Sequence, residues 1–351
     1  MVTSSLRSAD ILDEFELPVG LEAPMPPELR GTPRDEVRLM VTFGDDLRHR
    51  RFTDLRYELA PGDLLVVNDS GTIPAAVELD PSRVVHFSSE LPGGLRVVEV
   101  RRSTVDGSRP DLEMTPGKID LPGGASLELL APFPVDPSTK RLWVAHLDAG
   151  HGFETLLRDH GRPISYSHSL RQIPLEAYQT VFAATPGSAE MPSAGRPFSQ
   201  RLVTALVSRG VMISKLTLHT GVSSLESGEA PYPERYSVPH YTADLVNLTH
   251  RRGGRVIAVG TTVVRALETV TDEVGHAQAG SGWTDLVIGP DTPIRATDGM
   301  ITGWHEPHST HLEMLVAVAG RRPVARSYET ALREGYLWHE FGDSQLLLSA
   351  T

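Results

Sequence analysis

Arg255-Val-Ile-Ala-Val-Gly260-Thr-Thr-Val-Val-Arg265-Ala-Leu-Glu268 is the stretch that decides the fold. A short apolar run of strand length stops at Gly260. The chain then continues directly into residues with apolar side chains at helical spacing, Val263, Val264 and Leu267. A buried strand feeding a helix without an intervening loop is the repeating unit of α/β proteins. The flanking sequence keeps that rhythm. Residues 241–252 read as a helix with Gly253-Gly254 past its end, where a left-handed cap favours glycine. Residues 199–209 read as a helix ending at Gly210, followed by a strand over 211–218. Downstream, 286–288 reads as a short strand, and 309–319 and 323–334 as helices, the second with proline in its first turn. Upstream, Pro61-Gly62 and Asn68-Asp69-Ser70-Gly71 punctuate a strand over 63–67.

Residues 72–143 have a different texture. Short β-type runs at 83–87, 95–100, 126–130 and 141–145 alternate with Pro92-Gly93-Gly94, Pro116-Gly117 and Pro122-Gly123-Gly124, and no helical period appears. Short strands at this spacing predict a small antiparallel β-barrel or sandwich. The expected architecture is therefore an α/β main domain, residues 1–71 and 144–351, with a mixed sheet flanked by helices. It is interrupted by an inserted antiparallel β-barrel domain at 72–143, whose connections at 71–72 and 143–145 form a natural hinge.

Composition bounds the function. The chain has 351 residues, enough for two domains, and no cysteine, which excludes disulfides and thiolate metal sites. No apolar run approaches the roughly 20 residues of a membrane span, and residues 1–10 lack a signal-peptide pattern, so a cytoplasmic location is expected. The net charge of −12 argues against a surface that grips nucleic acid everywhere. Local basic groups remain as candidates for phosphate contact: Arg48-His49-Arg50-Arg51, Arg101-Arg102, Arg251-Arg252 and Arg321-Arg322. Solvated surface is the plain alternative for each.

Four segments carry chemistry. The Gly260-Thr261-Thr262 turn offers open N–H groups and the positive end of a helix, suited to a carboxylate or phosphate. Arg265 and Glu268 lie on one side of that helix at a spacing that allows pairing; a capped helix with a surface ion pair explains the same residues. Pro192-Ser193-Ala194-Gly195-Arg-Pro-Phe198 is a loop of small residues that permits close backbone approach to a ligand. Thr217-Leu-His219-Thr-Gly221 places a histidine at a strand end, as acid, base, orienting donor or satisfied structural group. In Asp298-Gly-Met-Ile-Thr302-Gly-Trp-His305-Glu-Pro-His308-Ser309-Thr310-His311 the three histidines invite a metal reading, but Pro307 interrupts them and Ser309-Thr310 look like a helix start; no metal is expected.

These segments together resemble the S-adenosylmethionine:tRNA ribosyltransferase-isomerase family of queuosine biosynthesis, from about Phe15 to Leu348 and in unbroken order. Further matches are Arg50-Arg-Phe-Thr-Asp54-Leu, Pro61-Gly-Asp-Leu-Leu-Val-Val-Asn68-Asp69 with Ile73-Pro74-Ala75, Tyr178-Gln-Thr-Val-Phe-Ala183, Gly280-Ser-Gly-Trp-Thr-Asp285 and Gly342-Asp343. The resemblance implies an α/β domain interrupted by a β-barrel. It also implies that S-adenosylmethionine donates its ribosyl part to 7-aminomethyl-7-deazaguanine in tRNA, yielding epoxyqueuosine, adenine and methionine. On that basis His219 and His305 are the acid/base candidates, with Asp69 and Glu268 as orienting carboxylates. Ser193, Ala194, Gly195, Phe198, Gly260, Thr261, Thr262 and Arg265 would hold S-adenosylmethionine; Arg50, Asn68, Thr302, Ser309 and Thr310 would contact substrate. The expected enzyme is a monomer or weak homo-oligomer with no membrane partner.

The chain departs from the family pattern at several points. Ser70-Gly71 stand where the family has Thr-Arg, Arg196-Pro197 where it has Leu-His, and Gly303-Trp304-His305-Glu306-Pro307-His308 where it has Asn-Phe-His-Leu-Pro-Lys. Three function classes stay open: the tRNA-modifying transferase, a divergent paralogue that acts on a small molecule or cleaves S-adenosylmethionine alone, and a non-catalytic binding module.

Overall fold

A computed structural model describes residues 11–12, 15–18, 20–104, 107–134, 141–165, 173–222, 231–307 and 309–349. Residues 1–10 and His308 lie outside the described residues. A nine-stranded sheet forms the main body, in the order Gly280–Thr284, Glu234–Val238, Met212–Leu218, Leu64–Asn68, Val256–Val259, Gly299–Thr302, Ser344–Leu348, Arg38–Phe43, Asp46–Arg51. The four strands from Met212–Leu218 to Gly299–Thr302 are parallel, and antiparallel pairs flank them, so the sheet is mixed as expected.

Period-two alternation explains how the central strands serve two layers at once. Leu64, Val66, Ala258 and Met300 face one core, shared with helices His240–Arg251, Thr261–Thr269, Thr310–Ala319 and Arg321–Arg333. Leu65, Val67, Ile257, Val259 and Ile301 face the other, closed by Phe52, Leu55, Phe198, Leu202 and Leu206. Phe198 is fully buried and meets Phe52 edge-on at 5.0 Å between ring centres. It is a core anchor beneath the small-residue loop.

One element differs from its sequence reading, and one had no local signal. Residues 286–288 are not a strand; the strand is Gly280–Thr284, and the apolar run beyond it packs as irregular chain. There Arg265 Nε donates to the Leu286 carbonyl at 3.0 Å, a side-chain bond where a strand would have a backbone partner. The edge hairpin Arg38–Phe43 with Asp46–Arg51 had no apolar alternation in its second strand, where Arg48 and Arg50 instead converge on the buried Glu58 carboxylate.

The second sheet is antiparallel and spans residues from Ala76 to Arg162, in the order Gly161–Arg162, Ala76–Asp80, Arg83–Glu90, Arg96–Thr104, Leu142–Asp148, Ser126–Phe133, Gly117–Asp120. Its own core includes Val85, Val98, Leu127, Trp143 and Leu157. Among the described residues its hydrogen-bonded path does not close on itself, so it is an open curled sheet rather than a finished barrel. It also runs past residue 143 to helix Phe153–His160 and strand Gly161–Arg162. The β texture alone did not reveal that continuation.

Asn68 ties the centre of the main sheet together. Its Nδ2 donates to the Leu218 carbonyl at 2.8 Å, while Oδ1 accepts from the amides of Leu218 and Ser70 at 3.0 and 3.1 Å. The side chain closes the end of one parallel strand onto its neighbour and is itself 4% exposed. Asn68→Ala strands these buried backbone groups, at a cost of about 2–3 kcal/mol. Urea unfolding followed by circular dichroism measures it; an unchanged midpoint would contradict the role.

Candidate functional site

Parallel strands of an open sheet place their ligand crevice beyond their carboxyl ends. Here those ends are Leu218, Val259 and Thr302, and the residues just past them, Thr220, Gly221, Gly260, Thr261, Thr262 and His305, line a cleft of about 780 Å³. At its floor the chain turns from strand to helix at Gly260 with φ +99°, a conformation L side chains rarely adopt. A Cβ there would also come within 3.3 Å of the Ala194 Cβ. The amides of Val263 and Val264 turn back onto the Gly260 carbonyl, which among the described residues leaves those of Thr261 and Thr262 as the open donors of the helix start.

Of the sequence candidates, Ser193, Ala194, Gly260, Thr261, Thr262, Arg265, Thr302, His305, Ser309 and Thr310 come together on this cleft. The others lie elsewhere. Gly195 and Phe198 support the Ala194 loop from behind, and Asn68 sits beneath Thr262, with Nδ2 3.4 Å from its Oγ1. Asp69 is buried in the joint between the two sheets, accepting from Lys215 Nζ and Thr217 Oγ1 at 2.6 Å each and from Thr185 Oγ1 at 3.2 Å. His219 is in that joint too. Its Nδ1 is 2.8 Å from Ser70 Oγ, which is 2.6 Å from Ser188 Oγ, and burial together with Arg235 holds its pKa below the usual imidazole value. Arg50 is on the outer edge strand, bound to Glu58.

Arg265 and Glu268 do not pair, contrary to their spacing. Glu268 turns away to accept the amides of Arg295 and Ala296 at 2.9 and 3.0 Å, fixing the loop before Asp298. Arg265 is 5% exposed and spends its guanidinium on the rim, on Glu234 and on the carbonyls of Leu286, Thr284 and Tyr232. Glu234 in turn accepts the Gly221 amide at 3.0 Å. A buried arginine satisfied by four acceptors is a structural brace, and local helical spacing lost to it because the tertiary acceptors lie deeper than Glu268.

His305 Nε2 is 2.8 Å from Thr302 Oγ1, its amide donates to the Tyr328 hydroxyl at 3.1 Å, and its ring stacks on His311 at 4.9 Å. Burial holds His305 well below the usual imidazole pKa and brings His311 to about 4, so both rings are neutral at pH 7. Among the described residues no group of three His, Cys, Asp or Glu side chains is arranged to hold a metal ion. The basic runs are largely committed: Arg101 pairs with Glu99, Arg102 with Asp111 and Glu113, and Arg322 with Asp45.

Glutamates 190 and 340, missed from sequence, also line the cleft. Isolated glutamates far apart in a chain give no local signal; only the fold brings them to one wall. Glu340 is pushed up to about 8, by burial first and then by the charge of Glu190.

The fold is a mixed α/β arrangement with its cleft at the strand ends. A family model described as queuosine biosynthesis protein matches residues 13–347, and the chain belongs to that family. It is 36% identical over 349 residues to the S-adenosylmethionine:tRNA ribosyltransferase-isomerase of Symbiobacterium thermophilum, covering 95% of this chain and 98% of the relative. The same-named protein of Moorella thermoacetica is 36% identical over 352 residues, with the same coverage. A solved structure, the S-adenosylmethionine tRNA ribosyltransferase of Thermotoga maritima, aligns with a TM-score of 0.54 at 27% identity, covering 96% of this chain and all of that one.

The raised Glu340 pKa links to stability. A carboxyl whose folded pKa exceeds its ordinary 4.5 favours the fold while protonated, and that contribution is lost as pH rises from 4.5 through about 8. Glu340→Gln stays neutral throughout, so its stability falls less over that window than the parent's. Melting temperatures from pH 5 to 9 test this, and parallel profiles would refute it.

Proposed function

We propose that this protein is an S-adenosylmethionine:tRNA ribosyltransferase-isomerase. It moves and isomerises the ribosyl part of S-adenosylmethionine onto 7-aminomethyl-7-deazaguanine in tRNA, forming epoxyqueuosine and releasing adenine and methionine. The observation that carries this reading is the cleft at the strand ends, with the open Thr261 and Thr262 amides on its floor and the neutral His305 on its wall. Whole-length identity to proteins of that name supports it.

The residues present fit the donor molecule. Thr261 and Thr262 offer N–H and hydroxyl donors to a carboxylate or to ribose hydroxyls at the positive end of a helix. Trp304, buried in the cleft wall, has an indole N–H with no hydrogen-bond partner among the described residues, a donor that a ligand acceptor would satisfy. S-adenosylmethionine supplies a sulfonium that acidifies the adjacent ribose C–H. His305, kept neutral, is the group placed to accept a proton in the cleft, with Thr302 Oγ1 fixing its ring. His219, Asp69 and Glu268 act as positioning groups: the first two brace the joint between sheets, and the third braces the loop before the Gly299–Thr302 strand. The enzyme works in the cytoplasm, as a monomer or weak homo-oligomer.

Adenine release from S-adenosylmethionine, followed chromatographically with and without tRNA carrying the aminomethyl base, tests the assignment. Release that requires the tRNA is expected. Release without it would favour a small-molecule or cofactor-cleaving enzyme, and tight binding with no release a binding module. His305→Ala is expected to lower kcat by about 100-fold or more, the usual loss of a general base. Full turnover with an unchanged pH profile would remove His305 from the chemistry.

A further inference from the structure

The cleft holds little fixed positive charge. Arg265 is the one arginine among its described lining residues, none of which is lysine, and it is bonded to Glu234. His305 and His311 are neutral at pH 7. A flat base can enter such a pocket, but the phosphates on either side of that base find no cation there. A polyanionic acceptor has to be held outside the cleft. The arginines just beyond its wall are placed to do so.

Phe341 and Tyr178 form part of that wall. Arg30 stands outside the lining, exposed, with Nη2 donating to the Phe341 carbonyl at 2.7 Å. Arg34 donates from Nη1 to the Gln179 carbonyl at 3.3 Å and pairs with Glu28 at 3.0 Å. The same carboxylate takes the buried Arg196 at 2.9 Å. Among the described residues Arg30 is in no ion pair. Glu28 and Asp343 lie near enough to act on its charge, but Asp343 is bonded to Arg38. Four guanidinium groups, on Arg30, Arg34, Arg38 and Arg196, thus face two carboxylates, Glu28 and Asp343, and two positive charges are left over.

The stripe continues along the same edge of the sheet. Thr302 pairs with Gln345, Gln345 with Met40, and Met40 with His49. Those three strand spacings, at roughly 4.8 Å each, put the outer strand about 14 Å from the cleft row. That span is about four stacked nucleotides at roughly 3.4 Å each. At its far end Arg38, His49, Arg50 and Arg51 border an open hollow of about 390 Å³. Asp54 and Glu334 are its acidic members, and Asp54 caps the Arg51 amide at 3.0 Å. Arg50 is bound to Glu58. Arg51 is exposed, in no ion pair among the described residues, and steadied by the Glu36 carbonyl at 2.8 Å. Carbonyl anchors of this kind fix the direction of a guanidinium while leaving its charge and several N–H donors for an incoming phosphate.

We propose that Arg30, Arg34 and Arg51 form a docking stripe for the phosphate backbone of an RNA strand whose target base sits in the cleft. This rests on the proposed transferase reading for that base. The stripe positions the strand and carries no sequence preference, which stays with the cleft.

Fluorescence anisotropy of the full-length protein with a labelled anticodon stem-loop RNA, repeated from about 50 to 200 mM salt, tests it. Arg30→Gln with Arg34→Gln is expected to weaken binding about tenfold and Arg51→Gln about threefold, each lost contact making the salt slope shallower by about 0.7–0.9. Arg209→Gln removes the same charge at the opposite, amino end of the Met212–Leu218 strand and is expected to bind like the parent. Arg30→Lys with Arg34→Lys keeps the charge and the slope, which separates phosphate contact from damage to the fold. Affinity for S-adenosylmethionine, by isothermal titration, is expected to stay within about twofold in every variant. Either glutamine variant binding RNA within about twofold of the parent would overturn the proposal. So would a larger loss for S-adenosylmethionine, an equal loss in Arg209→Gln, or a lysine pair that loses as much slope as the glutamine pair. A parent whose RNA binding does not depend on salt would overturn it too. Failure of the adenine-release assay strikes the transferase reading, whereas unchanged RNA affinity in the variants strikes the stripe alone.

Discussion

At Gly260 the chain passes from a buried strand to a helix without a loop, and the rest of the site depends on that passage. The positive φ and the close approach of Ala194 make a side chain there costly, so the residue type is dictated by backbone geometry. Once fixed, the turn aims the helix start at the carboxyl edge of the sheet. The same helix carries Arg265 to the rim, where Glu234 and three carbonyls receive it. One constraint thus sets the floor of the cleft and its outer edge together.

Around that turn, polar side chains are used in two ways. Asn68, Asp69 and Glu268 are hydrogen-bonded by neighbouring strands and loops, and His219 is held through its Nδ1 by Ser70, so these groups hold the frame. His305, Trp304 and Glu340 face a cavity in which burial shifts their protonation or leaves a donor unmet. The distinction matters chemically. A group already satisfied by the fold has little left to offer a substrate, whereas an imidazole kept neutral or a carboxyl kept protonated has proton-transfer capacity in hand. Family membership, together with relatives at 36% identity over nearly the full length, gives this division a concrete setting.

Much of the architecture was legible because its signals are local. Gly210 and Gly253-Gly254 mark helix ends, and the helix after Gly260 has its expected start. The all-β texture after residue 72 marks the second sheet, although its continuation to Arg162 passes through a helix that broke the pattern. The charged strand Asp46–Arg51 was invisible because its partner, not its own periodicity, makes it a strand. Leu286 and Ile288 misled for the converse reason, an apolar run that packs against the core without pairing and whose Leu286 carbonyl accepts from Arg265.

The sequence alone determined the strand–helix rhythm and the glycine turn. Those features follow from backbone preference and side-chain period, which act over a few residues. Tertiary structure decided which polar groups are spent and which are available. Arg265 chose Glu234 over Glu268, His219 went to the joint rather than the cleft, and Glu190 met Glu340 from 150 positions away. Partner choice and protonation depend on burial and through-space charge, and neither is written in the spacing of residues along a chain.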